Sequence, residues 1–127
     1  MVILITGISS GFGKAMAERL ASDGHKVYGT HRRDVPQIPG VTYIKADASD
    51  DAQVEAAVSR VVEAEGRIDV FINNAGMALS APFAETTPAQ YDQIMRLNAR
   101  APFALCQLAL PHLRQSDAGT ILNIASV

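Results

Sequence analysis

Long apolar runs, paired cysteines, clustered histidines and a basic field are all missing from this chain of 127 residues, and each absence narrows the reading. No stretch approaches the roughly 18 consecutive apolar residues of a membrane-spanning helix. The opening apolar run is only about five residues and no basic segment precedes it, so no secretory signal is expected. The single cysteine, Cys106, has no partner for an internal disulfide and lies in Pro102-Phe103-Ala104-Leu105-Cys106-Gln107-Leu108, where it is expected to be inert helix core. His25, His31 and His112 stand apart without metal-ligand spacing, which argues against a metal site. With 11 basic and 13 acidic residues and a net charge of -2, nothing attracts nucleic acid or an anionic membrane. A cytoplasmic protein without metal, membrane or nucleic-acid partners is expected.

What is present is enough apolar material for one ordinary core, 48% of the chain, in alternating strand and helix periods. The periods predict strands at about Val2 to Ile5, Lys26 to Thr30, Val41 to Lys45, Asp69 to Ile72 and Gly119 to Ile124. They predict helices at about Phe12 to Asp23, with Met16 and Leu20 one turn apart, at Asp51 to Glu65, with Val54, Val58, Val61 and Val62 inward, and over Pro88 to Arg114. Such alternation predicts an α/β fold, a doubly wound parallel sheet with crossover helices. No repeat or linker divides the chain, so residues 1–127 are expected to form a single domain.

The densest local signal is at the start. The strand Val2-Ile3-Leu4-Ile5 runs into Thr6-Gly7-Ile8-Ser9-Ser10-Gly11-Phe12-Gly13 and then into a helix. Glycine serves there to turn sharply off the strand, to let backbone approach a pyrophosphate, and to let the helix pack closely on the sheet. The helix N-terminus adds unpaired N–H groups and the positive end of its dipole. A P-loop does not fit, because Ile8 stands where its first glycine belongs and Ala15 where its hydroxyl belongs.

In a dinucleotide fold, an acidic residue at the end of the second strand receives the ribose 2′-hydroxyl of NAD. That place here holds His31-Arg32-Arg33. A guanidinium offers a 2′-phosphate a charge-assisted fork, so NADP(H) is expected in preference to NAD(H), through Arg32 or Arg33. The same residues also fit a solvated basic strand end, with Asp34 partly neutralising it. Asp47-Ala48-Ser49-Asp50 and Asn73-Asn74-Ala75-Gly76 each follow the carboxyl end of a strand, where open α/β sheets bind ligands. Asp47 or Asp50 suits a cap on the following helix equally well, and the asparagines suit a turn.

Taken in order, Thr6-Gly7, Gly11-Phe12-Gly13, Asp47, Asn73-Asn74-Ala75-Gly76, Asn98 and Asn123-Ile124-Ala125-Ser126 resemble the short-chain dehydrogenase/reductase family along the whole chain. The resemblance implies a Rossmann fold with strand order 3-2-1-4-5 in this region, and hydride transfer between a nicotinamide cofactor and a small-molecule carbonyl or alcohol. It assigns cofactor binding to Thr6, Gly7, Ser9, Ser10, Gly11, Phe12, Gly13, His31, Arg32, Arg33, Asp47, Ala48, Asn74, Ala75 and Gly76. Asp47 would face the adenine. Asn98 and Ser126 match two of the family's catalytic residues, and relatives imply a homo-oligomer for the full-length form.

One part of the family pattern is missing. Tyr28, Tyr43 and Tyr91 are followed four residues later by Arg32, Asp47 and Met95, so the Tyr-x-x-x-Lys pair is absent. Removing that pair removes a proton donor and the cation that tunes it, and general acid/base help is typically worth about 10²–10⁴ in rate. The chain is therefore expected to be the amino-terminal part of a longer enzyme, truncated before the last strands and helices and not competent alone. A non-catalytic NADP-binding module is the alternative. Pro102 cannot donate to the Asn98 carbonyl, so that carbonyl is expected to be free and the helix to kink. Phe103, Leu105, Cys106, Leu108, Ala109, Leu110 and Leu113 exceed one buried stripe, and the fifth strand is expected to be an open edge.

Overall fold

Apolar strands buried on both faces need crossover connections, and a parallel sheet is the outcome. The computed structural model describes residues 1–126. Strands β1 (Val2–Ile5), β2 (Lys26–His31), β3 (Val41–Lys45), β4 (Val70–Asn73) and β5 (Thr120–Asn123) form one parallel sheet in the order β3-β2-β1-β4-β5. The winding reverses between β1 and β4, which makes the carboxyl ends of those two strands the switch point. Helix α1 (Gly11–Ser22) joins β1 to β2, and α2 (Asp51–Glu65) joins β3 to β4. A longer helical stretch precedes β5: α3 (Pro88–Met95), a π turn (Arg96–Arg100) and α4 (Ala101–Leu113).

Side-chain alternation along β1 builds two cores. Val2 and Leu4 join Tyr28, Phe71, α2 and α4 on one face, while Ile3 and Ile5 join Val27, Ile72 and α1 on the other. Helix α1 turns Gly13 and Ala17 fully inward, whereas Met16 and Leu20 are half-buried at its flank. Small residues let the helix lie close to the sheet, so the stripe read from its large side chains is displaced. Helix α2 buries Val54, Ala57, Val58 and Val61, with Val62 only partly covered. Helix α4 buries every fourth residue, Ala101, Leu105, Ala109 and Leu113, and leaves Phe103 exposed. Cys106 is half-buried against the core.

At Asn98, where a kink and a free carbonyl are expected, the structure has a π turn. The chain stays helical through the π turn, where the Ala101 N–H donates to the Arg96 carbonyl one residue further back than in an α-helix. The lost Pro102 donor is thus absorbed by widening the turn. All four residues of β5, at the end of the sheet order, are exposed. Among the described residues no helix is long and apolar enough to cross a membrane.

At the amino ends of the strands, the fully buried Asp69 accepts hydrogen bonds from the Val2 N–H (2.7 Å), from Arg67 Nε (3.0 Å) and from the Ser116 hydroxyl. These bonds join the start of β1, the approach to β4 and the turn before β5. Burial pushes the carboxyl up, but the Arg67, Ser116 and Val2 hydrogen bonds outweigh it and hold it at about 2. A carboxyl lower in the folded state than its unfolded value of about 3.9 stabilises fully above about pH 4 and loses that contribution as pH falls toward about 2. Asp69→Ala should lower the unfolding free energy by about 2–4 kcal/mol in urea titrations, because the Val2 N–H loses its buried acceptor. The same variant should lack the part of the wild-type acid decline that this carboxyl contributes.

Candidate functional site

The cradle at the switch point is built from backbone. Thr6 N–H continues the ladder to the Ile72 carbonyl at 3.0 Å, and the chain then turns at Gly7 with φ 73°. A Cβ on Gly7 would lie 2.9 Å from Ala75 Cα. The N–H groups of Gly7 and Ile8 both donate to the Thr30 carbonyl, at 3.1 and 3.0 Å. Ile8 is fully buried and occupies the space where a Gly29 side chain would start, which anchors the turn. Asn74 Nδ2 donates to the carbonyls of Thr6 (3.1 Å) and Gly7 (2.9 Å), while Thr6 Oγ1 accepts the N–H groups of Asn74 and Ala75, each at 3.0 Å. Gly13 packs directly on this knot: a Cβ there would run into the Gly7 carbonyl and Asn74 Nδ2.

The start of α1 is left open. Ser10 is extended (φ -162°, ψ 178°) and its side chain does not cap the helix, whose first turn carries no acidic residue. Asp50 and Thr87 do cap α2 and α3. Among the described residues no side chain accepts from the first N–H groups of α1, the condition under which a helix N-terminus serves an anion.

An open cleft of about 360 Å³ lies beside this turn. Of the residues expected to bind cofactor, Gly7, Ser9, Ser10, His31, Arg32, Arg33, Asp47, Ala48, Asn74, Ala75 and Gly76 line it, together with Thr30, Ala46 and Leu97. Thr6 and Gly13 shape the turn from behind, and Gly11, at φ 57°, is exposed beside it. Arg33 reaches across the cleft to Ser10 Oγ at 3.4 Å. Asp34 pairs with Lys45 at 3.1 Å. Asp47 Oδ1 accepts the Ser49 hydroxyl (2.7 Å) and N–H (2.9 Å), and these bonds, with the charges of Arg32 and Arg96 and against the effect of burial, hold its carboxyl below the usual range. The cap of α2 is Asp50, which accepts the Gln53 N–H at 3.1 Å.

A second cleft, about 850 Å³, opens on the other side of the Asn74-Ala75-Gly76 loop, which lines both. Phe12, Met77, Asn98, Phe103, Cys106 and Ser126 are among its walls. Asn98 accepts the Met77 N–H at 2.8 Å and donates to the Met77 carbonyl at 2.6 Å, so its amide clamps the loop. Around it, Arg96 donates to the Ser49 carbonyl (3.0 Å) and Arg100 forms a two-pronged pair with Asp51, both bonds 2.7 Å. Two of the three tyrosines are occupied elsewhere. Burial, and then Glu65, which accepts a hydrogen bond from the hydroxyl at 2.6 Å, raise the Tyr28 phenol to about 12. Tyr43 Oη accepts the Ile38 N–H at 3.0 Å. Sequence reasoning assigned no role to Thr30 or Ile8; Thr30 accepts through its carbonyl and also through Oγ1, which takes the Gly7 N–H at 3.3 Å.

The sheet order and the glycine cradle define a dinucleotide-binding Rossmann fold. A sequence model described as short chain dehydrogenase matches residues 1–127, and the chain belongs to that family. It is 38% identical over 126 residues to a 3-ketodihydrosphingosine reductase of Bacteroides thetaiotaomicron, covering 99% of this chain and 47% of that one. Aldohexose dehydrogenase of Thermoplasma acidophilum, solved without ligand, superposes with a TM-score of 0.94 at 28% identity, over 98% of this chain and 49% of that one. A 3-ketoacyl-(acyl-carrier-protein) reductase of Brucella melitensis, solved with NADH, gives 0.90 at 31% identity, over 98% and 56%. The chain thus spans about half the length of these relatives.

Gly13→Ala tests the cradle. The methyl has no room between Gly7 and Asn74, so the turn must shift, at a cost of about 1–3 kcal/mol in stability. The loss is read as a lower midpoint in urea titrations of the Gly13→Ala variant against wild type.

Proposed function

We propose that the protein is an NADP(H)-dependent oxidoreductase that exchanges hydride with a small-molecule carbonyl or alcohol, and that these residues form its cofactor-binding part. The observation that carries the cofactor choice is Arg33, which spans the cleft to Ser10 with Arg32 beside it, where an NAD-type site needs an acceptor for the 2′-hydroxyl. A guanidinium there favours a 2′-phosphate by charge and by geometry. The Brucella melitensis relative was solved with NADH, so the family fold alone does not select between the two cofactors.

Each group has a role in this reading. The open N-terminus of α1 and the Gly7 turn take the pyrophosphate. Asp47 and Ala48 would hold the adenine, and the Asn74-Ala75-Gly76 loop, which lines both clefts, would support the cofactor between them. A bound nicotinamide would supply hydride donor or acceptor chemistry. Asn98 holds the loop wall of the second cleft through Met77, and Ser126 lines the same cleft. Neither residue is a proton source with a suitable pKa, and the tyrosine–lysine pair of the family is not among these 127 residues. We read the 127-residue chain as not competent for turnover by itself, and the whole protein as a cytoplasmic homo-oligomer.

NADPH should bind at least about tenfold more tightly than NADH in calorimetric titrations, and Arg33→Ala should weaken NADPH by about 10- to 100-fold while changing NADH little. Equal wild-type affinities would refute the NADP(H) assignment. For the chemistry, the purified 127-residue chain is mixed with NADPH and a panel of ketones and absorbance is followed. A flat trace is expected, and steady oxidation would refute the claim that the chain alone is incompetent.

A further inference from the structure

We infer that Lys45 is a specificity-determining residue for the cofactor, acting through Asp34 without touching the ligand; the inference rests on the NADP(H) reading above. Arg32 and Arg33 line the first cleft, and among the described residues neither has a carboxylate within ion-pair distance. The next residue along the chain is nevertheless an aspartate. A carboxylate free to swing toward the two guanidinium groups would compete with a phosphate for them and repel the phosphate as well. Asp34 is held out of that competition: Lys45 Nζ lies 3.1 Å from its Oδ1, as hydrogen bond and ion pair.

Strand register sets up this arrangement. Lys45, the last residue of β3, is the ladder partner of His31, the last residue of β2. The cation therefore stands beside the strand end from which Arg32, Arg33 and Asp34 depart. His31 Nδ1 lies 2.8 Å from the Arg33 carbonyl and fixes the first bend of that segment. From there Arg33 reaches over the glycine turn to Ser10, while Asp34 reaches back to Lys45. Asp47, the carboxylate that lines the cleft, is bonded to Ser49, and the Arg32 charge acts on it as well. Both members of the Lys45–Asp34 pair are largely exposed, 64% and 86% of their side chains, so water screens the pair and it adds little to folding. Its consequence is local: it decides what Asp34 is free to do.

The test is a double-mutant cycle on the whole protein, with NADPH and NADH titrated by calorimetry against wild type, Lys45→Gln, Asp34→Asn and the double variant. Lys45→Gln should weaken NADPH by about threefold to fivefold, the scale of one exposed ion pair, and change NADH less than about twofold. Asp34→Asn alone should leave the ratio of the two affinities where it was, and adding it to Lys45→Gln should restore that ratio. Additive behaviour, with Asp34→Asn tightening NADPH as much as Lys45→Gln loosens it, would show two independent charges acting at a distance and overturn the proposal. An unchanged ratio in Lys45→Gln would overturn it too. A wild type that prefers neither cofactor is read before any variant, and it would remove the NADP(H) reading and this proposal together.

Discussion

The reciprocal hydrogen bonding between Thr6 and Asn74 is the constraint on which the cleft geometry depends. Two strands that diverge at a switch point have no backbone ladder to hold their ends in register beyond the sheet. Here a hydroxyl from one strand end accepts two N–H groups of the other, and an amide from the second donates to two carbonyls of the first. All four bonds lie where the chain is already irregular, so they replace the pairing that the sheet can no longer supply. Gly13 then settles on the knot, and α1 begins at the angle that leaves its first N–H groups uncapped.

How much of this was legible in the sequence varied with the kind of atom involved. The strand Val41–Lys45 and the helix Asp51–Glu65 fell where pattern and caps placed them, because Asp50 and Gly66 punctuate the helix and the apolar positions repeat cleanly. The inward faces of α1 and α4 were harder to read, since Ala17, Ala101 and Ala109 do much of the packing and contribute little to a pattern drawn from large side chains. The glycine turn and the asparagine loop were legible because their residue types are required by close backbone approach. Thr30 was not, because it serves chiefly with a carbonyl. The partner of Asp34 was hidden for another reason: it depends on the register between β2 and β3, which brings Lys45 alongside from a separate strand.

The segment before α4 shows how a local fault becomes a positioning element. Proline at position 102 removes a donor, and the helix responds by widening over Arg96–Arg100 instead of breaking. A widened turn rotates the residues after it relative to those before, so Asn98 presents its amide to Met77 while Arg96 and Arg100 stay on the side facing Ser49 and Asp51. The one turn therefore fastens the wall between the two clefts and, through the arginines, the loop that carries Asp47. Two regions bordering different parts of the cleft system share a single mechanical support.

The Asp69 network lies at the opposite end of the strands from both clefts. It gathers β1, the approach to β4 and the turn before β5 onto one buried carboxylate, a second fastening at the end of the strands remote from the Thr6–Asn74 bonds. Stiffness and variability are thereby separated along the strand direction. A change of length or sequence in a loop at the carboxyl ends of the strands, such as Met77 to Thr86, leaves the Asp69 bonds at the far end untouched.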